Sequence, residues 1–280
     1  FWLGRSGGKD NAALGTWIVL ACVFLMGMHS AFFVPAKYGV MPEILTPRML
    51  SRGNGILESL SFLAVILGTV FGGILSTHFR DQEVWIGVIL VILAVIGAAA
   101  SLLIERMPAA NPTRPFPPYV FGPLLGNLKA LLGSRPLRFT VVGIAFFTFL
   151  VAYMRQVVYM HGQSQTPRWD EATTSYIVGV VALGIGVGSP LVGYLSGGKV
   201  ELGLVPIGAV GMMLATSLAA FFLFNVPMLI VCIALIGFFT GFYLVPLFSM
   251  LQHRAPKTSK GDSIATSNFI NITGAIAASA

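Results

Sequence analysis

The chain has 280 residues, 56% of them hydrophobic and only 10% charged, with a mean hydropathy of +0.85. A soluble domain carries about 25% charged residues, so the composition excludes a water-soluble globular protein or soluble enzyme and indicates an integral membrane chain. The net charge of +7 comes from basic residues set between apolar runs rather than on a basic helix with aromatic neighbours, which excludes nucleic acid as a partner.

Eight apolar runs approach the ~20 residues that a helix needs to cross a bilayer core. They are Leu14 to Pro35, Asn54 to Ser76, Val84 to Ile104, Phe139 to Met160, Ser175 to Leu195, Leu202 to Phe224, Val226 to Leu251, and Ser263 to the last residue. Open strands would leave backbone groups unpaired in lipid, so all eight are expected to be helices. Cys22 and Cys232 lie inside apolar runs and read as small buried hydrophobes, not as a disulfide or a metal site. Phe1 is followed by no signal peptide, and the apolar stretch Ile276 to Ala280 stops short. The chain is therefore expected to be a piece of a longer one.

The loops give the orientation. Twelve Lys and Arg residues fall in the loops after odd-numbered runs, against four in the alternate loops and the N-terminal tail. The positive-inside rule then places the loops after odd runs in the cytoplasm. The longest connection, Glu105 to Arg138, opens with the Pro-rich segment Met107 to Pro118 and continues as Val120 to Leu132. That second part reads either as an amphipathic helix on the inner membrane surface or as a plain linker with a helical turn. It divides the chain into residues 1–104, a linker at 105–138, and residues 139–280.

An internal repeat follows. Ser51-Arg52-Gly53-Asn54-Gly55-Ile56 returns as Ser259-Lys260-Gly261-Asp262-Ser263-Ile264, and Phe32-Phe33-Val34-Pro35 as Tyr243-Leu244-Val245-Pro246. The two cysteines correspond as well. The offset spans six runs, an even number, so the repeats are parallel and related by an axis along the membrane normal. Six-helix parallel halves joined by a long cytoplasmic linker resemble the major facilitator superfamily. In that frame the eight runs are helices 4 to 11 of 12. Gly68-x-x-x-Gly72, Gly184-x-x-x-Gly188 and Gly237-x-x-x-Gly241 are candidate seams for close helix approach.

Charges inside apolar runs are costly and mark candidate sites. Arg155 lies in the fourth run and either snorkels to the outer headgroups or faces a central cavity. Glu58 lies in the first turns of the second run. It either sits there because the helix dipole favours an acid, pairs with Lys37 as a structural lock, or carries a proton. Lys37 and Tyr38 close the first run on the inner side, and His29 reads as a packed polar residue. In the functional reading, Lys37 and Arg155 offer charge to an anionic group such as a phosphodiester. Nothing marks a catalytic site: there is no nucleophile elbow, phosphate loop, metal-spaced His/Cys cluster or acyltransferase histidine–acid tetrad, and no cofactor is indicated.

The segment Ser30-Ala31-Phe32-Phe33-Val34-Pro35-Ala36-Lys37-Tyr38-Gly39-Val40-Met41-Pro42-Glu43 resembles the S-x-x-x-x-P-x-K-Y-G-x-x-x-E pattern of the bacterial lysophospholipid transporters of the major facilitator superfamily. Asn54-Gly55-Ile56-Leu57-Glu58 resembles their N-G-x-x-E. The run Ala64 to Gly73, with Ile66-Leu67-Gly68, resembles their fifth helix. Arg155 falls where they have an arginine in the seventh helix. Gly241-Phe242-Tyr243-Leu244-Val245-Pro246-Leu247, followed by Leu251-Gln252, resembles their tenth. The resemblance implies inward movement of lysophospholipid, chiefly lysophosphatidylethanolamine, across the bacterial inner membrane for re-acylation. It implies a polar lining that includes Lys37, Tyr38, Asn54, Glu58 and Arg155. It also admits an acyltransferase or acyl-ACP synthetase, as partner or fused domain.

Overall fold

The computed structural model describes residues 9–80, 82–104, 121–165, 169, 171–256 and 260–279. The described elements are nine helices: α1 Lys9–Ile44, α2 Leu50–His78, α3 Glu83–Ser101, α4 Phe121–Gly133, α5 Arg135–Ser164, α6 Glu171–Leu195, α7 Leu204–Phe221, α8 Val226–Arg254 and α9 Lys260–Ser279. Each of the eight apolar runs has a helix as its main part, the third and sixth running a few residues past the helix ends, and the all-helical class expected from backbone chemistry in lipid holds among the described residues. The Pro-rich segment Met107 to Pro118 lies outside them. The second part of the linker forms α4, a 13-residue helix.

Several helices outrun their apolar cores. α1 has 36 residues and carries Pro35 and Pro42 within it, so Lys37 and Tyr38 sit inside the helix and not at its end. A helix of that length is about 54 Å long, against ~30 Å of hydrocarbon. Prolines are tolerated in such helices because neighbouring groups satisfy the freed carbonyls.

By length and composition, six helical segments can cross a membrane: Leu14–Ile44, Leu50–Leu75, Val84–Ser101, Arg135–Ser164, Leu204–Phe221 and Val226–Arg254. The apolar part of α6, Gly179–Leu195, is shorter. α9 does not qualify, because Ser263, Thr266, Ser267 and Asn271 lie along one face. That face is buried, while Phe269, Ile272 and Ile276 are exposed. The helix is inverted relative to one in water: its polar face turns into the protein and its apolar face outward. Six spanning helices make this a multi-pass membrane protein.

The chain separates into two compact units, Phe1–Val34 with Leu67–Thr113, and Pro35–Ile66 with Arg114–Ala280. In the first unit, the exposed side chains of α1 and α3 include Trp17, Phe24, Met26, Val91 and Val95. An apolar exterior of this kind suits hydrocarbon and not water. The second unit contains the packed core. There α6 and α7 lie against α8, and α9 lies against α5. Leu131, Leu137, Val141, Ile144, Leu244, Leu247, Leu251 and Ile264 form its largest cluster, which draws on α4, α5, α8 and α9.

Close backbone approach holds α6 to α8. A Cβ on Gly184 would meet the Ala234 carbonyl oxygen, one on Gly188 the Phe238 carbonyl oxygen, and one on Gly237 the Val181 carbonyl oxygen. A Cβ on Gly241 would fall 2.6 Å from the Ser189 nitrogen. Two of the three small-residue motifs thus face each other across one seam. The third does not: a Cβ on Gly68 or Gly72 would meet nothing within 4 Å. Without a hydrophobic driving force in lipid, such van der Waals contact is what associates helices.

Between α6 and α7 the chain turns through Gly197 and Gly198, at φ 57° and 78°, a region that residues with a Cβ adopt reluctantly. Lys199 bonds Glu201 at 2.7 Å just beyond the turn. That hydrogen bond holds the Glu201 carboxyl below the usual carboxylate range and the Lys199 ammonium above its own.

Alanine at Gly188 or Gly237 is expected to lower the thermal stability of the detergent-solubilised protein, by about 1–3 kcal/mol of overpacking each. Gly68→Ala should leave it unchanged or slightly raised. Equal effects at all three positions would show that the α6–α8 seam is not a point of tight packing.

Candidate functional site

The inner part of α1 and the first turns of α2 bring polar groups together within otherwise apolar helices. Lys37 and Glu58 reach this place because α1 extends past Pro35 and α2 begins at Leu50. Glu58 is buried and accepts a hydrogen bond from the Tyr38 hydroxyl. Lys37, half-buried, donates to Ser61 Oγ at 2.6 Å, and its ammonium lies 5.1 Å from the centre of the Tyr38 ring. Ser61 in turn donates to the Leu57 carbonyl at 2.5 Å. The expected Lys37–Glu58 pairing is thus replaced: Tyr38 takes the carboxylate, and Ser61 takes the ammonium. Tyr38 also stacks on Phe248 of α8, with ring centroids 4.8 Å apart.

One helical turn before Glu58, Asn54 is 0% exposed. Its amide nitrogen donates to Gln252 Oε1 at 2.7 Å and to Ser249 Oγ at 3.1 Å. Its carbonyl oxygen accepts from Gln252 Nε2 at 3.0 Å. Both amide hydrogens and one oxygen lone pair are therefore used. Ser249 Oγ in turn donates to the Val245 carbonyl. Asn54 and Gln252 form a reciprocal amide pair joining α2 to α8.

Further contacts surround that pair. Ser51, Gly55 and Ser59 form a row of small residues every fourth position along α2. Ser51 Oγ donates to the Lys199 carbonyl at 3.1 Å, and Ser59 Oγ donates to the Gly186 carbonyl at 2.7 Å. A Cβ on Gly55 would collide with the Ser189 carbonyl. The end of α1 is tied to α9: Lys260 donates to the Pro42 carbonyl at 3.2 Å and lies 3.6 Å from Glu43 Oε1. The Ser51 and Lys260 contacts lie at helix ends that the basic-residue bias assigns to the cytoplasm.

Arg155 stands apart. It lies on α5, exposed, and no hydrogen bond or ion pair joins it to Lys37, Tyr38, Asn54 or Glu58 among the described residues. His29 stacks on Phe33 with ring centroids 5.9 Å apart. The sequence reading did not select Ser61, Ser249, Gln252 or Phe248. Spacing carried a signal for the two serines: Ser61 lies three residues after Glu58, and Ser249 three before Gln252, each pair on one helix face. The polar face of α9 was also missed, and it holds two buried atoms without a hydrogen-bond partner, Ser267 Oγ and Asn271 Oδ1.

No group of three or more His, Cys, Asp or Glu side chains that could hold a metal occurs among the described residues. The arrangement can bind and release charge. Lys37 places its ammonium on Ser61 Oγ within an apolar helix, a group that can receive an anion.

The family model described as Major Facilitator Superfamily matches residues 11–279. The lysophospholipid transporter LplT of Cronobacter sakazakii (strain ATCC BAA-894) is 30% identical over 252 residues, covering 88% of this chain and 61% of that protein. The same-named protein of Serratia proteamaculans (strain 568) is 30% identical over 248 residues, covering 88% and 61%. That of Salmonella gallinarum (strain 287/91 / NCTC 13346) is 30% identical over 249, covering 88% and 60%. The chain thus spans about three fifths of the length of these curated relatives. No solved structure matches the chain.

Interhelical hydrogen bonds in membranes contribute about 0.5–2 kcal/mol each. A double-mutant cycle on Asn54→Ala and Gln252→Ala, read by thermal unfolding in detergent, should therefore give a coupling of about 1 kcal/mol or more. Additive effects would mean that the pair does not hold α2 to α8.

Proposed function

The chain belongs to the Major Facilitator Superfamily, and from that premise we propose that it moves a lysophospholipid, chiefly lysophosphatidylethanolamine, inward across the bacterial inner membrane. The observation that carries this reading is Lys37: a cation within an apolar helix, its ammonium bonded to Ser61 and not to a carboxylate. A phosphodiester headgroup would give this ammonium an anion, and the surrounding apolar helices suit the acyl chain. The resemblance to lysophospholipid transporters supports the same substrate. Residues 1–104 then end one six-helix half, 105–138 link the halves, and 139–280 begin the other.

In this reading Lys37 holds the phosphate, Tyr38 and Glu58 flank it, and Arg155 offers a second cation on the path. Asn54 acts from one turn away through its bonds to Ser249 and Gln252. Delivery to the cytoplasm requires the inner ends of α1 and α2 to part from α6, α8 and α9. The Asn54–Gln252 pair and the Lys260 contacts are the bonds to be broken. The delivered lysolipid suits an acyltransferase or acyl-ACP synthetase, fused or separate, that restores its second acyl chain.

One observation favours a second reading. Glu58 is buried with a tyrosine hydroxyl as its donor, an arrangement that suits proton exchange in a solute:proton exchanger. Flux that depends on a pH gradient and is abolished by Glu58→Gln, with no lysolipid uptake, would favour it.

The test is uptake of labelled lysophosphatidylethanolamine into spheroplasts lacking their own transporter, at matched membrane expression. Hydrogen bonds to charged groups contribute about 1.5–3 kcal/mol, so Lys37→Ala and Arg155→Ala should each reduce uptake about tenfold or more. No uptake by the parent, or unchanged uptake in both variants, would overturn the reading.

A further inference from the structure

α4 has two faces, and only one of them is occupied by protein. Leu131 is 1% exposed and packs with Leu137, Val141, Ile144 and Ile264, while Leu124 and Leu128 are half-buried. On the other side, Phe121 is 71% and Leu125 is 63% exposed. These two stand one turn apart, in a stripe that continues through Lys129 to Leu132. Gly122, Gly126 and Ala130 are exposed beside them. The outward face of this linker helix is thus apolar, with Lys129 as its single charge. A linker bathed in water would carry polar residues there.

The chain then passes Ser134 and enters α5, which begins Arg135, Pro136, Leu137, Arg138, Phe139. Both guanidinium groups gather on one ring. Arg135 Cζ lies 5.9 Å and Arg138 Cζ 5.6 Å from the centre of Phe139, and Phe139 is itself 61% exposed. Among the described residues, neither arginine nor Lys129 makes an ion pair. The sequence offers no acid nearby along the chain, since no Asp or Glu occurs between Glu105 and Asp170. The start of α5 adds unsatisfied donors: Ser134, its N-cap, makes no side-chain cap bond, and helix N-termini favour anions.

We propose that α4 and the first turn of α5 form a binding surface for anionic phospholipid of the inner leaflet. Phe121 and Leu125 enter the acyl boundary, and Lys129, Arg135 and Arg138 hold headgroup phosphates. The positive-inside rule accounts for basic residues on this side of the membrane. It does not account for the exposed apolar stripe beside them, nor for two cations gathered on one exposed ring. An apolar face rimmed by unpaired cations matches the lipid–water boundary of a leaflet that carries negative charge. The surface is independent of the transported substrate, because none of its residues belongs to the Lys37–Glu58 cluster.

The test is native mass spectrometry of the protein released from nanodiscs of mixed phosphatidylglycerol and phosphatidylcholine. Each basic residue near an anionic surface strengthens binding about fivefold. The parent should retain phosphatidylglycerol preferentially, and Arg135→Gln/Arg138→Gln should reduce that preference about tenfold or more. Arg135→Lys/Arg138→Lys keeps the charge and should retain most of it, and Leu125→Gln should weaken retention of both lipids. A parent that retains both lipids equally, or a preference unchanged in the double Gln variant, would overturn the proposal. So would a dimer of the parent lost on Leu125→Gln, which would make a second copy of the chain the occupant of this face. Thermal unfolding of each variant in detergent checks that it is folded.

Discussion

Asn54 commits both amide hydrogens and its carbonyl oxygen to two side chains of α8. In a bilayer a buried amide has no water to fall back on, so such groups stay together or leave others unpaired. That constraint decides where the inner ends of the helices meet. Around the pair, only small residues fit: Gly55 leaves room for the Ser189 carbonyl, and Ser51 and Ser59 bond carbonyls of the α6 region. Larger side chains along that row of α2 would separate the backbones and pull the amides apart. The small-residue row and the polar pair are thus one device, each depending on the other for its geometry.

The same economy arranges the charges. Tyr38 joins Glu58 on α2 through its hydroxyl and stacks on Phe248 of α8 through its ring. One side chain therefore connects the acid to the helix that also carries Gln252. Lys37 takes a serine as its hydrogen-bond partner and lies beside the Tyr38 ring.

α9 shows the same constraint elsewhere in the unit. Its buried polar face and exposed Phe269, Ile272 and Ile276 reverse the pattern of a helix in water. Its first turn reaches back through Lys260 to the end of α1. The helix buries most of its polar side chains against protein and leaves these three large apolar ones exposed.

The sequence by itself determined that this chain crosses a membrane, where its helices run, which ends carry positive charge, and which family it resembles. Those properties are local: apolar length sets a span, loop charge sets a side, and Lys37-Tyr38-Gly39 is a contiguous word. It also marked Lys37, Tyr38, Glu58 and Arg155 as polar exceptions, and the family resemblance added Asn54. It did not determine their partners, because Asn54 and Gln252 are 198 residues apart and hydropathy says nothing about which helix faces which. The glycine motifs make the same point. Gly184, Gly188, Gly237 and Gly241 line one seam while Gly68 and Gly72 line none, although all three motifs read alike. Only the packing decided that Tyr38 and not Lys37 takes the carboxylate of Glu58, and that α4 keeps an apolar face outward. Side-chain partnership depends on helix rotation and depth, and these are fixed by close contact between backbones remote in the chain.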